Sequence, residues 1–453
     1  MTRRQHARAV LVLGLPLVGS HVAQVAIGVT DALMLGRYSV TALAGSTIAH
    51  IVWFVLFLFG AGIAAAVMPM VAEAMSGGDL RTARRTSRMG LWASVAFSLA
   101  VTPVLLIGAP IFDLIGQEPD VAEAAGAYIR IAALGLLPAL AVQVLRSHVS
   151  ALELTGVVFW VTVAAALLNV LLNWLLIYGS LGFPEMGIRG AALASVIGHL
   201  AGLVMLVLYI RRRLPEHELF SRFWRVDPQA LAGVMRLGIP IGLTQLAEVG
   251  LFAGSAVMMG WIGEIPLAAH GIAVQLASLA FVIHLGLSQA ATVRAGAALG
   301  RGDRGALRRG ASTAIAVSAV IALAGAALFV LAPEFLIGLF LSEDEPERAA
   351  ILATGAGLLI LAGVFQFADA AQVMALGVLR GLHDTAVPMW VAAISYWVVG
   401  IPMAYVLAFP LGFGPTGIWL GLVAGLTVAA LALMWRLWGP IVRRMERGEI
   451  AAA

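Results

Sequence analysis

The sequence of 453 residues contains no cysteine and no lysine, and only 11% of its residues are charged. The absence of cysteine excludes disulfides, thiol catalysis and cysteine-ligated metal sites. Soluble domains carry roughly 25% charged residues, so a chain that is 61% hydrophobic is too apolar to be covered by water. No GxxxxGK[ST] loop occurs, which excludes a P-loop and ATP as the energy source. The composition predicts an all-α protein that crosses a membrane several times.

Apolar segments of the length needed to span a bilayer, about 20 residues, number twelve. Alternate loops between them are rich in arginine, and such loops face the cytoplasm by the positive-inside rule. The arginines of these loops and of the two ends are Arg3, Arg4, Arg8, Arg81, Arg84, Arg85, Arg88, Arg211, Arg212, Arg213, Arg222, Arg225, Arg301, Arg304, Arg308, Arg309, Arg443, Arg444 and Arg447. Both termini are therefore predicted to be cytoplasmic, which requires an even number of spans and fits twelve.

The two halves of the chain repeat each other. "LGLP" begins at Leu13 and "LGIP" at Leu237, an offset of 237 − 13 = 224, and the same offset holds as far as the loops "GGDLRTARR" (77–85) and "RGDRGALRR" (301–309). The repeat predicts parallel six-helix lobes at residues 1–212 and 230–453, joined by a cytoplasmic linker at 213–229. Two such bundles commonly exchange access to a central cavity, which favours a transporter over an enzyme or a receptor.

Two carboxylates of the second half lie deep inside apolar segments. Glu248 is twelve residues from Arg236, and Asp369 is eleven from Arg380; these separations are about 18 and 17 Å along a helix, so similar depths are expected. Two carboxylates in one low-dielectric site cannot both stay charged without a cation. They either share a proton or hold Na⁺ between them, with both acids as its ligands. The pair is predicted to be the site of a coupling cation.

A second polar site is predicted around Asp31 in the first half. Residues with spacings of 3, 4 and 3 form one helical face, namely His21, Gln24, Gly28 and Asp31. Gln24 is the counterpart of Glu248 in the repeat, and Asn169 and Asn173 share a face that could support Asp31. Two simpler explanations remain open: the asparagines only bond helix to helix, or Asp31 pairs with Arg37.

The segments that carry these residues resemble the multidrug and toxic compound extrusion (MATE) transporters, specifically the NorM-type branch. They read "DALMLGR" (31–37), "LLNVLLNWLLIYG" (167–179), "EVGLF" (248–252) and "DAAQVMALGVLRGLHD" (369–384). The resemblance implies a V-shaped pair of lobes that exports organic cations and drugs in exchange for Na⁺ or H⁺. It also implies that Glu248 and Asp369 form the cation site of the C-terminal lobe. The polar site of the N-terminal lobe would comprise Asp31, Asn169 and Asn173.

We further expect a monomer in the bacterial cytoplasmic (inner) membrane, with no cofactor besides the coupling ion. Because the arginine-rich loops are explained by membrane orientation, no nucleic-acid partner is expected. The family pattern places a tyrosine shortly before the tenth-helix acid, whereas this chain reads "GVFQFAD" (363–369), with Phe365 or Gln366 at that place. A major-facilitator antiporter shares the parallel halves, and a lipid-linked saccharide flippase shares the broader superfamily. Acids in the seventh and tenth helices favour MATE over both.

Overall fold

The computed structural model describes residues 2–441, so the arginines at 443, 444 and 447 that contribute to the predicted orientation lie outside the described residues. The chain folds into α-helices joined by short turns. These are α1 (Arg3–Tyr38), α2 (Val40–Ala65), α3 (Val67–Ser76), α4 (Leu80–Leu105), α5 (Ala109–Leu114), α6 (Pro119–Ala132), α7 (Leu136–Ala151), α8 (Thr155–Tyr178), α9 (Ile188–Arg213), α10 (Pro228–Ile262), α11 (Glu264–Gly300), α12 (Arg304–Leu331), α13 (Pro333–Gly338), α14 (Arg348–Gly381), α15 (Ala386–Ile394), α16 (Ile401–Ala408) and α17 (Gly414–Arg436).

Twelve helical stretches within residues 2–441 are long and apolar enough to cross a membrane, which confirms the predicted number. Three of these spans combine two α-helices: α2 with α3, α6 with α7, and α15 with α16. A π-helix, Ser395–Gly400, joins α15 to α16. Pro402 follows it, and proline removes the amide that would bond the carbonyl four residues earlier, so the wide turn lies where the regular bonding pattern is interrupted.

The repeated arginine loops have the same local structure in both halves. Gly78 and Gly302 adopt positive φ angles of 82° and 63°, which glycine reaches without steric cost. The aspartate that follows each glycine caps the next helix: the Asp79 carboxylate accepts from the Thr82 amide and the Asp303 carboxylate from the Ala306 amide. The sequence repeat is therefore also a repeat of turn geometry.

The structure contains two compact units, residues 19–242 and residues 1–18 with 243–453. The divisions fall inside α1 and α10, two residues after Pro16 and two after Pro240, which correspond at the offset of 224. The predicted lobes, 1–212 and 230–453, were instead separated at the linker. We refer below to the N-unit (19–242) and the C-unit (1–18 and 243–453).

Each unit has its own apolar core. The N-unit core includes Trp53 and Phe112, and the C-unit core includes Phe365, Tyr396 and Trp419. Glycines let helices approach closely in the C-unit, as is common between membrane helices. A Cβ placed on Gly425 would lie 2.9 Å from the Cα of Gly400 and 3.0 Å from the Ser395 carbonyl oxygen. Helix α17 thus packs directly on the backbone of the π-helix.

Candidate cation sites

Helices α10 and α14 run in opposite directions and meet through an aromatic pair. The rings of Phe252 and Phe365 lie edge to face with centroids 6.0 Å apart. Glu248 comes four residues before Phe252, and Asp369 four residues after Phe365. One helical turn is 3.6 residues, so both acids lie about one turn from this contact in the same direction. The packing thereby brings the two predicted carboxylates together.

The acids of this pair are shielded to different degrees. Asp369 is 4% exposed, while Glu248 is half-buried, and each lies within range of the other's charge. Within residues 2–441, no group of three or more His, Cys, Asp or Glu side chains could hold a metal ion. A cation bound here therefore needs neutral oxygen atoms in addition to the two carboxylates.

Arg380 also belongs to this centre, although the sequence pattern assigned it only to a helix end. Its guanidinium, in the last turn of α14, lies within range of the Glu248 carboxylate. Eleven residues amount to about three helical turns, so Asp369 and Arg380 share a face of α14. That spacing is the signal in the sequence that could have linked Arg380 to the acids. With both carboxyls ionised, two carboxylates and one guanidinium would carry a net charge of −1, which one bound monovalent cation would balance.

Tyr396 and Gln372 are two further polar groups near the acids, and sequence reasoning missed both. The charges of Glu248, Asp369 and Arg380 all act on the Tyr396 hydroxyl, and Gln372 lies beside it. Both side chains are fully buried. Gln372 lies three residues after Asp369, a spacing that already indicates a shared helical face, whereas no spacing links Tyr396 to the acids.

The N-unit holds a separate polar site around Asp31. The Asn173 side-chain amide donates to one carboxylate oxygen of Asp31 and, over 3.1 Å, to the side-chain carbonyl of Asn169. The Ser195 hydroxyl lies 3.5 Å from the other carboxylate oxygen. Asn169 and Asn173 are 2% and 0% exposed. The structure thus assembles Asp31, Asn169 and Asn173 across α1 and α8, with Ser195 of α9 as an additional member.

Two expectations about this site have different outcomes in the structure. The hydrogen-bond partners of Asp31 are Asn173 and Ser195, so the alternative in which Asp31 pairs with Arg37 is not the arrangement observed. Gln24, which shares the α1 face with Asp31, is exposed and takes no part in the hydrogen bonds of Asp31. Of the four residues predicted for this site, Asp31, Asn169 and Asn173 are therefore in contact and Gln24 is not.

The repeat gives the C-unit no second acid at the position of Asp31. Its counterpart, Ser255, donates to the Phe252 carbonyl oxygen over 2.7 Å and lies 3.4 Å from a ring nitrogen of His270. The other ring nitrogen of His270 accepts from the Trp419 indole over 3.1 Å. Because both nitrogens of His270 have partners, this trio is a packed polar contact.

Comparisons with known proteins agree with this architecture. The MatE family model matches residues 16–175 and 240–406. "Probable multidrug resistance protein NorM" of Agrobacterium fabrum is 45% identical over 443 residues, covering 97% of this chain and 95% of that protein. The protein of the same name from Rhizobium meliloti is 46% identical over 449 residues, covering 99% and 96%.

Solved structures show the same fold. A MATE protein crystallised in complex with MaL6 superposes with a TM-score of 0.88 at 21% identity, covering 98% of this chain and 97% of the other. The eukaryotic MATE transporter AtDTX14 superposes with a TM-score of 0.86 at 19% identity, covering 98% of each chain. With the full-length relatives and the matched family model, these findings establish that the chain belongs to the MatE family and is a multi-pass membrane transporter of the NorM multidrug efflux type.

Proposed function

We propose that this transporter exports amphipathic organic cations across the bacterial cytoplasmic membrane in exchange for inward Na⁺ or H⁺. The observation that carries the proposal is the juxtaposition of Glu248 and Asp369 in the C-unit. Acids inside a membrane are costly and generally mark ion or substrate pathways. A pair held beside one arginine has an uncompensated negative charge, which an entering cation neutralises.

The mechanism follows from that charge. A cation that binds more tightly to one conformation shifts the equilibrium toward it, and only by the difference between its two affinities. Binding of Na⁺ or H⁺ from outside would neutralise the acid pair and favour the conformation that releases drug. The excess of acids over arginine in this centre, two carboxylates against Arg380, also supports an organic cation as substrate over a pyrophosphate-linked saccharide.

The test is drug-driven cation flux in proteoliposomes that contain the purified full-length chain. Glu248→Gln keeps the size of the side chain but removes its charge. We expect coupled Na⁺ or H⁺ flux to fall at least about tenfold, the effect of losing about 1.4 kcal/mol of cation binding. Glu264→Gln is the matched control, since Glu264 is exposed in the first turn of α11.

Two results would contradict the proposal. Coupled flux that is unchanged in Glu248→Gln would remove the acid pair from the mechanism. Transport by the unmodified chain that responds to neither an imposed sodium gradient nor an imposed pH gradient would exclude cation coupling altogether.

A further inference from the structure

Arg146 is a buried charge of the N-unit for which the chain supplies no opposite charge. Its side chain is 6% exposed and belongs to the span that combines α6 with α7. Within residues 2–441 it forms no salt bridge, and its hydrogen bond goes to the neutral hydroxyl of Ser20 over 3.0 Å. Charged side chains inside a membrane generally pair with one another or with backbone carbonyls. Arg146 therefore needs a counter-charge that these side chains do not provide.

The matching arginine of the C-unit has an acid beside it. The sequence "VLR" occurs at 144–146 and again at 378–380, an offset of 378 − 144 = 234 that pairs Arg146 with Arg380. The Arg380 guanidinium lies within range of the Glu248 carboxylate. A buried charge that lacks its partner is strongly destabilising. In the C-unit the chain itself supplies the partner that makes burial of the arginine possible.

Neutral residues occupy the positions of both acids in the N-unit. Gln24 corresponds to Glu248 at the offset of 224, and Gly135 corresponds to Asp369 at the offset of 234. No carboxylate of the described residues lies close enough to act on the Arg146 guanidinium. The repeat thus contains the buried arginine in both halves and the acids only in the second.

The side chains around Arg146 supply hydrogen-bond donors. A guanidinium carries five N–H donors and no acceptor, and a hydroxyl can also donate. Ser150 comes four residues after Arg146, which makes the two neighbours on one helical face. Its side chain is 1% exposed, and its hydroxyl forms no hydrogen bond in the described part of the chain. The group that this cluster requires is therefore an acceptor with a negative charge.

We propose that Arg146, with the hydroxyls of Ser20 and Ser150, forms a binding site for a small monovalent anion, namely chloride. One monovalent anion balances one guanidinium, whereas a multivalent anion would leave an excess of negative charge inside the membrane. The exposed fraction of 6% gives a single ion access to the guanidinium, and the burial of the remainder excludes a large anion. The site lies in the N-unit and does not depend on the proposed cation coupling.

The bound anion takes the place that a carboxylate has in the other half of the chain. It connects α7, which carries Arg146 and Ser150, with Ser20 of α1. These residues come together only when the N-unit is folded. A ligand that binds only the folded state stabilises it, so chloride should stabilise the protein against unfolding.

The experiment uses the purified full-length chain in detergent, in chloride and in gluconate at equal ionic strength and pH. Binding of radioactive chloride and the thermal unfolding temperature are measured. We expect saturable binding of a single chloride per chain and a higher unfolding temperature in chloride than in gluconate. Arg146→Gln should weaken chloride binding at least about tenfold and remove the difference between the two salts.

A second variant supplies the negative charge from the chain itself. Ser20→Asp places a carboxylate where the hydroxyl now accepts from Arg146 over 3.0 Å. This variant should show no saturable chloride binding and should unfold at the same temperature in both salts. Because it keeps Arg146 and adds its counter-charge, it remains a test even if Arg146→Gln does not fold.

Arg130→Gln is the matched control for the loss of a guanidinium. Arg130 belongs to the same span as Arg146, is exposed, and donates to the Ile107 carbonyl oxygen over 3.2 Å. Its replacement should leave both the binding of chloride and the difference in unfolding temperature unchanged.

The other outcomes would overturn the proposal. If the unmodified chain binds no chloride and unfolds at the same temperature in both salts, no anion balances Arg146. If Ser20→Asp keeps the chloride dependence of the unmodified chain, the anion binds elsewhere. A loss in Arg130→Gln as large as that in Arg146→Gln would likewise reject this site. None of these results bears on drug-driven cation flux, so the proposed function is tested separately.

Discussion

His217 shows how one buried side chain secures the loop that follows α9. It is 3% exposed, and its ring packs edge to face on His148 with centroids 5.1 Å apart. His148 in turn lies 2.7 Å from the Ser87 hydroxyl. Nδ1 of His217 and Nε2 of His148 form no hydrogen bond within residues 2–441. A proton added here would be poorly solvated.

The loop is also held by side chains of α4, all within the N-unit. Arg84 pairs with Glu218, Arg88 donates to the Leu219 carbonyl oxygen over 2.9 Å, and the Trp92 indole donates to that of Phe223 over 2.8 Å. The arginines that indicate membrane orientation in the sequence therefore also bind this loop. The charges that face His217 itself are Glu216 and Arg84.

These contacts predict how stability depends on pH. Burial lowers the pKa of His217; Glu216 opposes this and Arg84 adds to it. The folded state therefore binds fewer protons than the unfolded state, whose histidine titrates near 6.5. The contribution of His217 to the free energy of unfolding is fully present above about pH 6.5. It is lost as the pH drops toward the lower pKa of the folded state, by at most about 1.4 kcal/mol per pH unit.

His217→Gln isolates this contribution. Thermal unfolding of the unmodified chain and of the variant, followed between pH 5 and pH 8, should show a smaller loss of stability at acidic pH in the variant. If both proteins lose stability equally on acidification, the buried imidazole of His217 is not the group responsible.

At the scale of the element, the positions of side chains on regular helices could be predicted from the sequence, whereas those on an interrupted helix could not. The depth count placed Glu248 and Asp369 at similar levels because α10 and α14 are continuous helices with a constant rise. Tyr396 escaped the same reasoning because a π-helix changes the residues per turn and so the face on which each side chain lies. The spacing of Arg380 from Asp369 indicates a shared face, but it does not show how far the long arginine side chain extends toward the acids.

The repeat contains a natural comparison for Arg380. "VLR" at 144–146 matches "VLR" at 378–380, an offset of 378 − 144 = 234. In the N-unit Arg146 donates to the Ser20 hydroxyl of α1 over 3.0 Å, four residues before Gln24. In the C-unit the matching arginine lies within range of Glu248, the counterpart of Gln24. The two matching arginines thus both act on the first helix of their half, one through a hydroxyl and the other through a carboxylate.

Removing the guanidinium should change the affinity of the acid pair for its cation. With Arg380→Gln the site carries −2 instead of −1, so we expect the half-saturating concentration of the coupling cation to fall about three- to tenfold, or about 0.6–1.4 kcal/mol. Tighter binding also slows release, so the maximal transport rate should fall. Arg348→Gln, at the other end of α14, is the control, and a half-saturating concentration that does not fall in Arg380→Gln would refute the role of Arg380 as counter-charge.

At the scale of the whole molecule, the absence of cysteine makes orientation directly measurable. Single cysteines can be introduced without background labelling, and both exposed loops suited to them lie within the described residues. Ser221 lies in the arginine-rich loop between α9 and α10, and Glu345 in the acidic loop between α13 and α14. The arginine asymmetry predicts that the first loop is cytoplasmic and the second external.

A membrane-impermeant maleimide should therefore label Glu345→Cys in intact cells. It should label Ser221→Cys only after the cells are permeabilised. Drug export by each variant checks that it is correctly folded. The opposite pattern would show that the chain has the opposite orientation in the membrane, which would reverse the direction of the proposed exchange. Labelling of both cysteines in intact cells would conflict with an odd number of spans between them, since α10, α11 and α12 separate the two loops. That result would contradict the membrane topology on which the arginine loops and the repeat agree.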